Sequence, residues 1–128
     1  MVSKITKGIK VEVKVYHVKE TLHLNNLVHF FNYDIRIENQ STDVVQLLSR
    51  YWLIKDALNF DTIVEGEGVI GKTPIVQPTE DFEYTSGCFI SGITGSMQGY
   101  FTFINHSTSQ IFRVKVPLFI MNVPYIFN

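Results

Sequence analysis

Cysteine is almost absent. Cys88 is the one thiol in 128 residues, so no disulfide can close within the chain and nothing demands an oxidising compartment. An excess of either charge is missing as well. Eleven Lys and Arg stand against twelve Asp and Glu, which leaves no basic footprint of the kind nucleic acid requires. Long apolar runs are also lacking. The longest, residues 114–127, is broken by Pro117 and Pro124 and falls short of the roughly 20 apolar residues that span a bilayer. The first residues alternate lysine with apolar side chains and show no apolar core of a secretory signal. The expectation is a cytoplasmic protein with neither nucleic acid nor membrane as partner. Helical periodicity is the last absence, and it removes the α/β classes.

What is present is alternation with period two. Ile9, Val11, Val13 and Val15 alternate with Lys10, Glu12 and Lys14, which predicts a half-buried strand over 9–15. A second strand is expected over 28–38, with Phe31, Tyr33, Ile35 and Ile37 on one face. A turn follows at Asn39-Gln40-Ser41-Thr42-Asp43. Residues 44–54 are apolar on both parities, as a central strand would be. Shorter strands are expected over 62–65, 81–85, 97–104 and 111–116, each bounded by Gly, Pro, Asn or Ser. The pattern predicts one all-β domain over 1–128, an immunoglobulin-like or fibronectin type III-like two-sheet sandwich of about seven or eight strands. Trp52, alone in the expected central strand, is assigned to its core.

Charge is segregated along the chain. Lys4, Lys7, Lys10, Lys14 and Lys19 face only Glu12 in the first nineteen residues, whereas residues 56–83 carry seven carboxylates against Lys72. Solvated strand faces explain this bias.

Several motifs invite chemistry. Gly66-Glu67-Gly68-Val69-Ile70-Gly71 matches G-x-G-x-x-G, but a dinucleotide site needs a helix to start at the last glycine. Pro74 and Pro78 leave no room for one, and Glu65 and Glu67 would repel phosphate. The dinucleotide reading is rejected. Gly66, Glu67, Gly68 and Gly71 remain a candidate binding loop, in which free amides could cradle an anion without a helix. Asp56, Asp61, Glu65 and Glu67 are the weak candidates for a hard divalent cation, although their spacing matches no EF-hand. His17 and His29 read as structural, His23 and His106 as loop residues, and no zinc spacing occurs. Cys88 reads as a small buried hydrophobe. Arg50 shares parity with Leu48, Trp52 and Ile54, so it is expected in a structural ion pair with Asp56 or Asp34. Phe119, Tyr125 and Phe127 belong to a terminal stretch that either completes the core or stays exposed as a contact patch.

These residues resemble the ApaG family in four blocks spanning residue 2 to the end. The first is Tyr33 with Ile35-Arg36-Ile37-Glu38-Asn39. The second is Gln46-Leu47-Leu48-Ser49-Arg50-Tyr51-Trp52-Leu53-Ile54 with Asp56-Ala57. The third is the glycine motif with Pro74, Pro78, Phe82 and Tyr84-Thr85-Ser86-Gly87. The fourth is Gly95-Ser96-Met97-Gln98-Gly99-Tyr100 with Phe112-Arg113-Val114-Lys115-Val116-Pro117-Leu118-Phe119. Tyr51 stands where many members carry histidine. The resemblance implies a fibronectin-type sandwich, cytoplasmic in bacteria and without an established enzymatic activity. It also implies kinship with domains of F-box and polymerase-interacting proteins that mediate protein contacts, and a loose link to cobalt resistance and magnesium efflux.

The resulting expectation is a non-catalytic module that binds an unidentified protein, with no catalytic residue and no cofactor. The alternative is a regulator that binds a small ligand or divalent cation through residues 56–71. Self-association stays open.

Overall fold

The computed structural model describes residues 1–124. They form β1 (Val2–Thr6), β2 (Ile9–His23), β3 (Asn26–Asn39), β4 (Val45–Asp56), β5 (Asn59–Glu67), β6 (Ile75–Val76), β7 (Asp81–Ile90), β8 (Thr94–Asn105) and β9 (Ile111–Asn122). One antiparallel sheet has the order β1-β2-β3-β7. The other has β5-β4-β8-β9, with β6 added to β4. This is the expected two-sheet sandwich, with nine strands instead of seven or eight. The extra two are β1, whose residues are nearly all exposed, and the two-residue β6. Neither carries an alternation long enough to register in the sequence.

Turn chemistry sets the hairpins. Lys7-Gly8 joins β1 to β2 and Leu24-Asn25 joins β2 to β3, all four residues having positive φ. Positive φ at both central residues is the type I′ geometry whose twist matches the flanking strands.

The core lies between the sheets. β2 supplies Ile9, Val11 and Val13, and β3 supplies Phe31, Tyr33, Ile35 and Ile37, on the parity expected. Trp52 is 2% exposed and sits near the centre. Its ring lies 5.6 Å from Tyr33 and edge-on to Phe101 and Phe119, both at 6.0 Å. Such edge-to-face pairs add about 0.5–1.5 kcal/mol each beyond the area they bury.

Two bulges reassign which side chains face inward. In β4, Leu47 pairs with Phe103 but Ser49 with Thr102, so Leu48 is an extra residue. Val45 and Leu47 point inward before it; Trp52, with the opposite parity, points inward after it. The strand is central, as expected, and its two-sided apolarity reflects this switch as well as its position. In β9, Gly99 pairs with Val116 but Met97 with Phe119, which places the extra residue at Pro117-Leu118. A proline cannot donate to the ladder, so the bulge sits where a donor is already missing.

That second bulge settles part of the terminal stretch. Val114 and Val116 are buried before it, and Phe119, Met121 and Val123 after it. Phe119 is therefore a core residue at 2% exposure, which corrects its assignment to a contact patch. Leu118 and Ile120, on the opposite parity, are each 48% exposed. Tyr125 and Phe127, the other members of that patch, lie outside the described residues.

Candidate functional site

The glycine segment leaves β5 and folds into its own small hairpin. Val69 and Lys72 exchange both backbone hydrogen bonds, at 2.8 and 2.9 Å, across the two-residue turn Ile70-Gly71. Both turn residues have positive φ, 44° and 75°. No helix starts there, so the dinucleotide geometry is absent from this loop.

Each of its glycines answers a different constraint. Gly71 needs only its left-handed backbone, since a Cβ there would meet nothing within 4 Å. Gly68 combines a φ of 65° with close approach to the Lys72 carbonyl, which a side chain would strike. Gly66 has the Arg50 guanidinium packed over it, 3.2 Å from where a Cβ would stand. The amide nest expected of this loop is largely used up. Gly68 N–H donates to the Leu48 carbonyl, and the amides of Val69 and Lys72 donate to each other's carbonyls.

Arg50 is held differently from the expected ion pair. Its Nη1 donates to the carbonyl oxygens of Glu67 at 3.0 Å and Gly68 at 2.9 Å. Asp56 accepts instead from the amides of Ser91 and Gly92, at 2.7 and 2.9 Å, and from Leu58. Asp34 accepts from the Thr85 and Tyr16 hydroxyls. The register explains the difference, because Arg50 lies opposite Gly66 and the missing side chain opens a path to the loop carbonyls. Neutral acceptors satisfy part of the guanidinium without cancelling its charge.

A cavity of about 320 Å³ opens between Arg50, the glycine hairpin and the facing sheet. Tyr33, Trp52, Tyr84 and Ser86 wall it, and Glu67 and Gly71 stand on its loop side. Tyr84 is 8% exposed, and its hydroxyl has no protein partner among the described residues. Burial drives its phenol well above the ordinary range; Tyr33 adds to the shift and the Arg50 charge opposes it. Tyr33 is also shifted upward, chiefly by burial, with a Ser86 hydrogen bond and Arg50 acting against the shift. Both rings therefore keep their protons at neutral pH and offer O–H donors. The sequence reading quoted Tyr84 and Ser86 in a family block but did not place either beside Arg50. Their signal was the approach of β7 to the glycine loop, which only the sheet order supplies.

The proposed cation ligands do not converge. Asp61, Glu65 and Glu67 are spread along β5, and Asp56 is committed to backbone amides. No three of the His, Cys, Asp and Glu side chains form a metal-binding group among the described residues. Cys88 is only partly buried, yet burial pushes its thiol up to about 11, with Asp56 adding to the shift. A nucleophilic thiol needs the opposite perturbation. His29 is buried, with its Nδ1 3.3 Å from His17 Nε2 and 3.9 Å from Glu20, in keeping with a structural role. On the outer face of the second sheet, Tyr51 stacks on Tyr100 at 4.9 Å, and the Arg113 guanidinium lies 4.3 Å over Tyr100.

No helix among the described residues is long and apolar enough to cross a membrane. The ApaG domain model matches residues 19–105. The protein ApaG of Brucella anthropi is 35% identical over 124 residues, covering 97% of this chain and 95% of that protein. The protein ApaG of Edwardsiella ictaluri is 40% identical over 98 residues, covering 77% and 78%. Among solved structures, the putative ApaA protein from Bordetella pertussis superposes with a TM-score of 0.83 at 32% identity, over 91% of this chain and 94% of that one. A Northeast Structural Genomics Consortium target superposes with a TM-score of 0.86 at 30% identity, over 91% and 88%. The chain belongs to the ApaG family.

Proposed function

We propose that this protein is a non-catalytic, cytoplasmic binding module whose free β5 edge takes up an extended segment of a partner protein. The observation that carries this reading is β5 itself. Among the described residues it pairs with β4 on one side only and ends the sheet order, so one edge of its nine-residue backbone is open there. All of its residues except Gly66 are exposed, and Phe60 reaches 90% exposure. Unpaired edges of this length template strand addition, with main-chain hydrogen bonds giving affinity and alternate side chains giving specificity.

Charge narrows the partner. Ile63, Glu65 and Glu67 share the outer face, opposite Leu53, Tyr51 and Ser49, and Asp61 precedes them beyond a bulge. An incoming strand with alternating Lys or Arg would meet these carboxylates, and opposite charges across a strand pair contribute roughly 0.2–1 kcal/mol each. A second copy fits less well. Antiparallel pairing centred on Ile63 would set Asp61 against Glu65 in both directions, and directly opposed like charges destabilise a sheet.

The test uses a short peptide alternating lysine with valine or threonine, titrated into ¹⁵N-labelled protein. The reading expects shifts and slowed hydrogen exchange along 59–67, abolished in Glu65→Lys/Glu67→Lys. Shifts centred elsewhere, or affinity indifferent to the charge reversal, would refute it.

A further inference from the structure

The cavity beside the glycine hairpin opens between the two sheets at the end of β5 and shares Glu67 with that strand. Two groups on it, the Arg50 guanidinium and the Tyr84 hydroxyl, have N–H or O–H donors left over among the described residues. Arg50 has five N–H groups in a planar fork. Nη1 alone is engaged by Glu67 and Gly68, which leaves Nη2 and Nε. The Tyr84 hydroxyl, in a residue more than nine-tenths buried, has no hydrogen-bond partner among the described residues. A buried hydroxyl in that position is satisfied by an ordered water, an ion or a ligand.

We infer that this cavity binds a single carboxylate group, with one oxygen accepting from Tyr84 and the guanidinium of Arg50 holding the charge. Acceptor capacity and negative charge are both required of the ligand, and a carboxylate has both in a planar form that matches the guanidinium fork. The charge must be single. Glu67 stands on the loop side of the same cavity, and its carboxylate repels a phosphate dianion more than a monoanion. The volume of about 320 Å³ accepts a carboxylate with a short stem between Trp52 and Tyr33 and is at the small end for an organic ligand. The same group is presented by a small organic acid and by the C-terminus of a peptide.

Thermal shift and NMR titration with acetate, propionate, an acetylated dipeptide with a free C-terminus, its C-terminal amide, and phosphate test this at constant ionic strength. At least one of the three carboxylates is expected to raise the melting temperature in proportion to its occupancy, while the amide and phosphate leave it unchanged. Tyr84→Phe keeps the ring and removes only the unpaired hydroxyl. It should melt no lower than the parent while binding about tenfold more weakly, one hydrogen bond to a charged group. Arg50→Lys, which loses the planar fork, should also weaken binding. Preference for the free-acid peptide over acetate and propionate assigns the site to a polypeptide terminus; the reverse preference assigns it to a metabolite acid. No response to any carboxylate, an equal response to phosphate, or an unchanged affinity in Tyr84→Phe overturns the inference.

Discussion

Replacing Asn39 with alanine is the sharpest test of how the glycine segment is anchored. Asn39 is fully buried at the end of β3, and every capacity of its amide is used. Nδ2 donates to the carbonyls of Asp43 at 2.8 Å and Val76 at 2.9 Å. Oδ1 accepts from the Ser41 amide at 3.0 Å and the Ser41 hydroxyl at 2.6 Å. One side chain thereby ties the 39–43 turn to β6, the strand that returns from the glycine hairpin to β4. Four bonds at about 1 kcal/mol each, less what water recovers at the part-buried Asp43 end, give a loss of about 2–4 kcal/mol. That is a large share of the roughly 5–15 kcal/mol a domain has. Urea unfolding should show the midpoint falling by about 1–2 M with the slope unchanged. Ser41→Ala removes one Oδ1 partner and leaves the Val76 bond, so it should cost less, and the double variant should fall short of the sum. If Asn39→Ala stays within about 0.5 kcal/mol of the parent, the network carries no stability and this reasoning fails.

Three further outcomes follow from particular contacts. Phe119→Ala should destabilise by about 3–5 kcal/mol and Leu118→Ala by less than about 1, because the β9 bulge buries one and exposes the other; equal costs would contradict the register. Gly68→Ala should cost more than about 2 kcal/mol, since a methyl group meets the Lys72 carbonyl, while Gly71→Asn should stay within about 0.5 because the turn has open space and asparagine tolerates its φ; calorimetric melting of the two variants decides it. The His17 pKa lies below its ordinary 6.5, first through burial and then through His29, with Glu20 opposing. The unfolded chain therefore binds that proton more readily, so the site's stabilisation is complete above about pH 6.5 and drains as pH falls through the folded value. An NMR titration should place the His17 midpoint below 6.5 and show it rising in His29→Gln; a midpoint above 6.5 would reverse the sign.

Alternation made β2, β3 and the outer parts of the second sheet legible in the sequence, because Ile9 to Val13 and Phe31 to Ile37 keep one phase throughout. The face of Arg50 was legible from its parity with Trp52, but its partner was not, because parity does not say that Gly66 lies opposite and opens the way to the loop carbonyls. Phe119 was offered for a contact patch on apolar density alone, and the bulge at Pro117-Leu118 turns it into the core. Leu48 offers no local signal for its bulge, whereas Pro117 did offer one, since a proline inside a strand marks either an edge or a bulge. The meeting of Tyr84 and Ser86 with Arg50 was not legible because it depends on β7 closing the first sheet beside the β5 side of the second. No pattern within a single segment encodes that.

The glycine motif shows how the same letters serve two physical ends. In a nucleotide site the glycines let backbone approach phosphate, and a helix dipole supplies the field. Here one glycine lets a guanidinium lie flat over β5, a second lets backbone meet backbone at Lys72, and a third closes a type I′ turn. Positive charge is still delivered to the loop, by the side chain of Arg50 instead of by a helix end. It reaches a pocket that keeps two phenols protonated and places Glu67 nearby. Such a field suits one negative charge better than two, which is the physical basis of the carboxylate site proposed above.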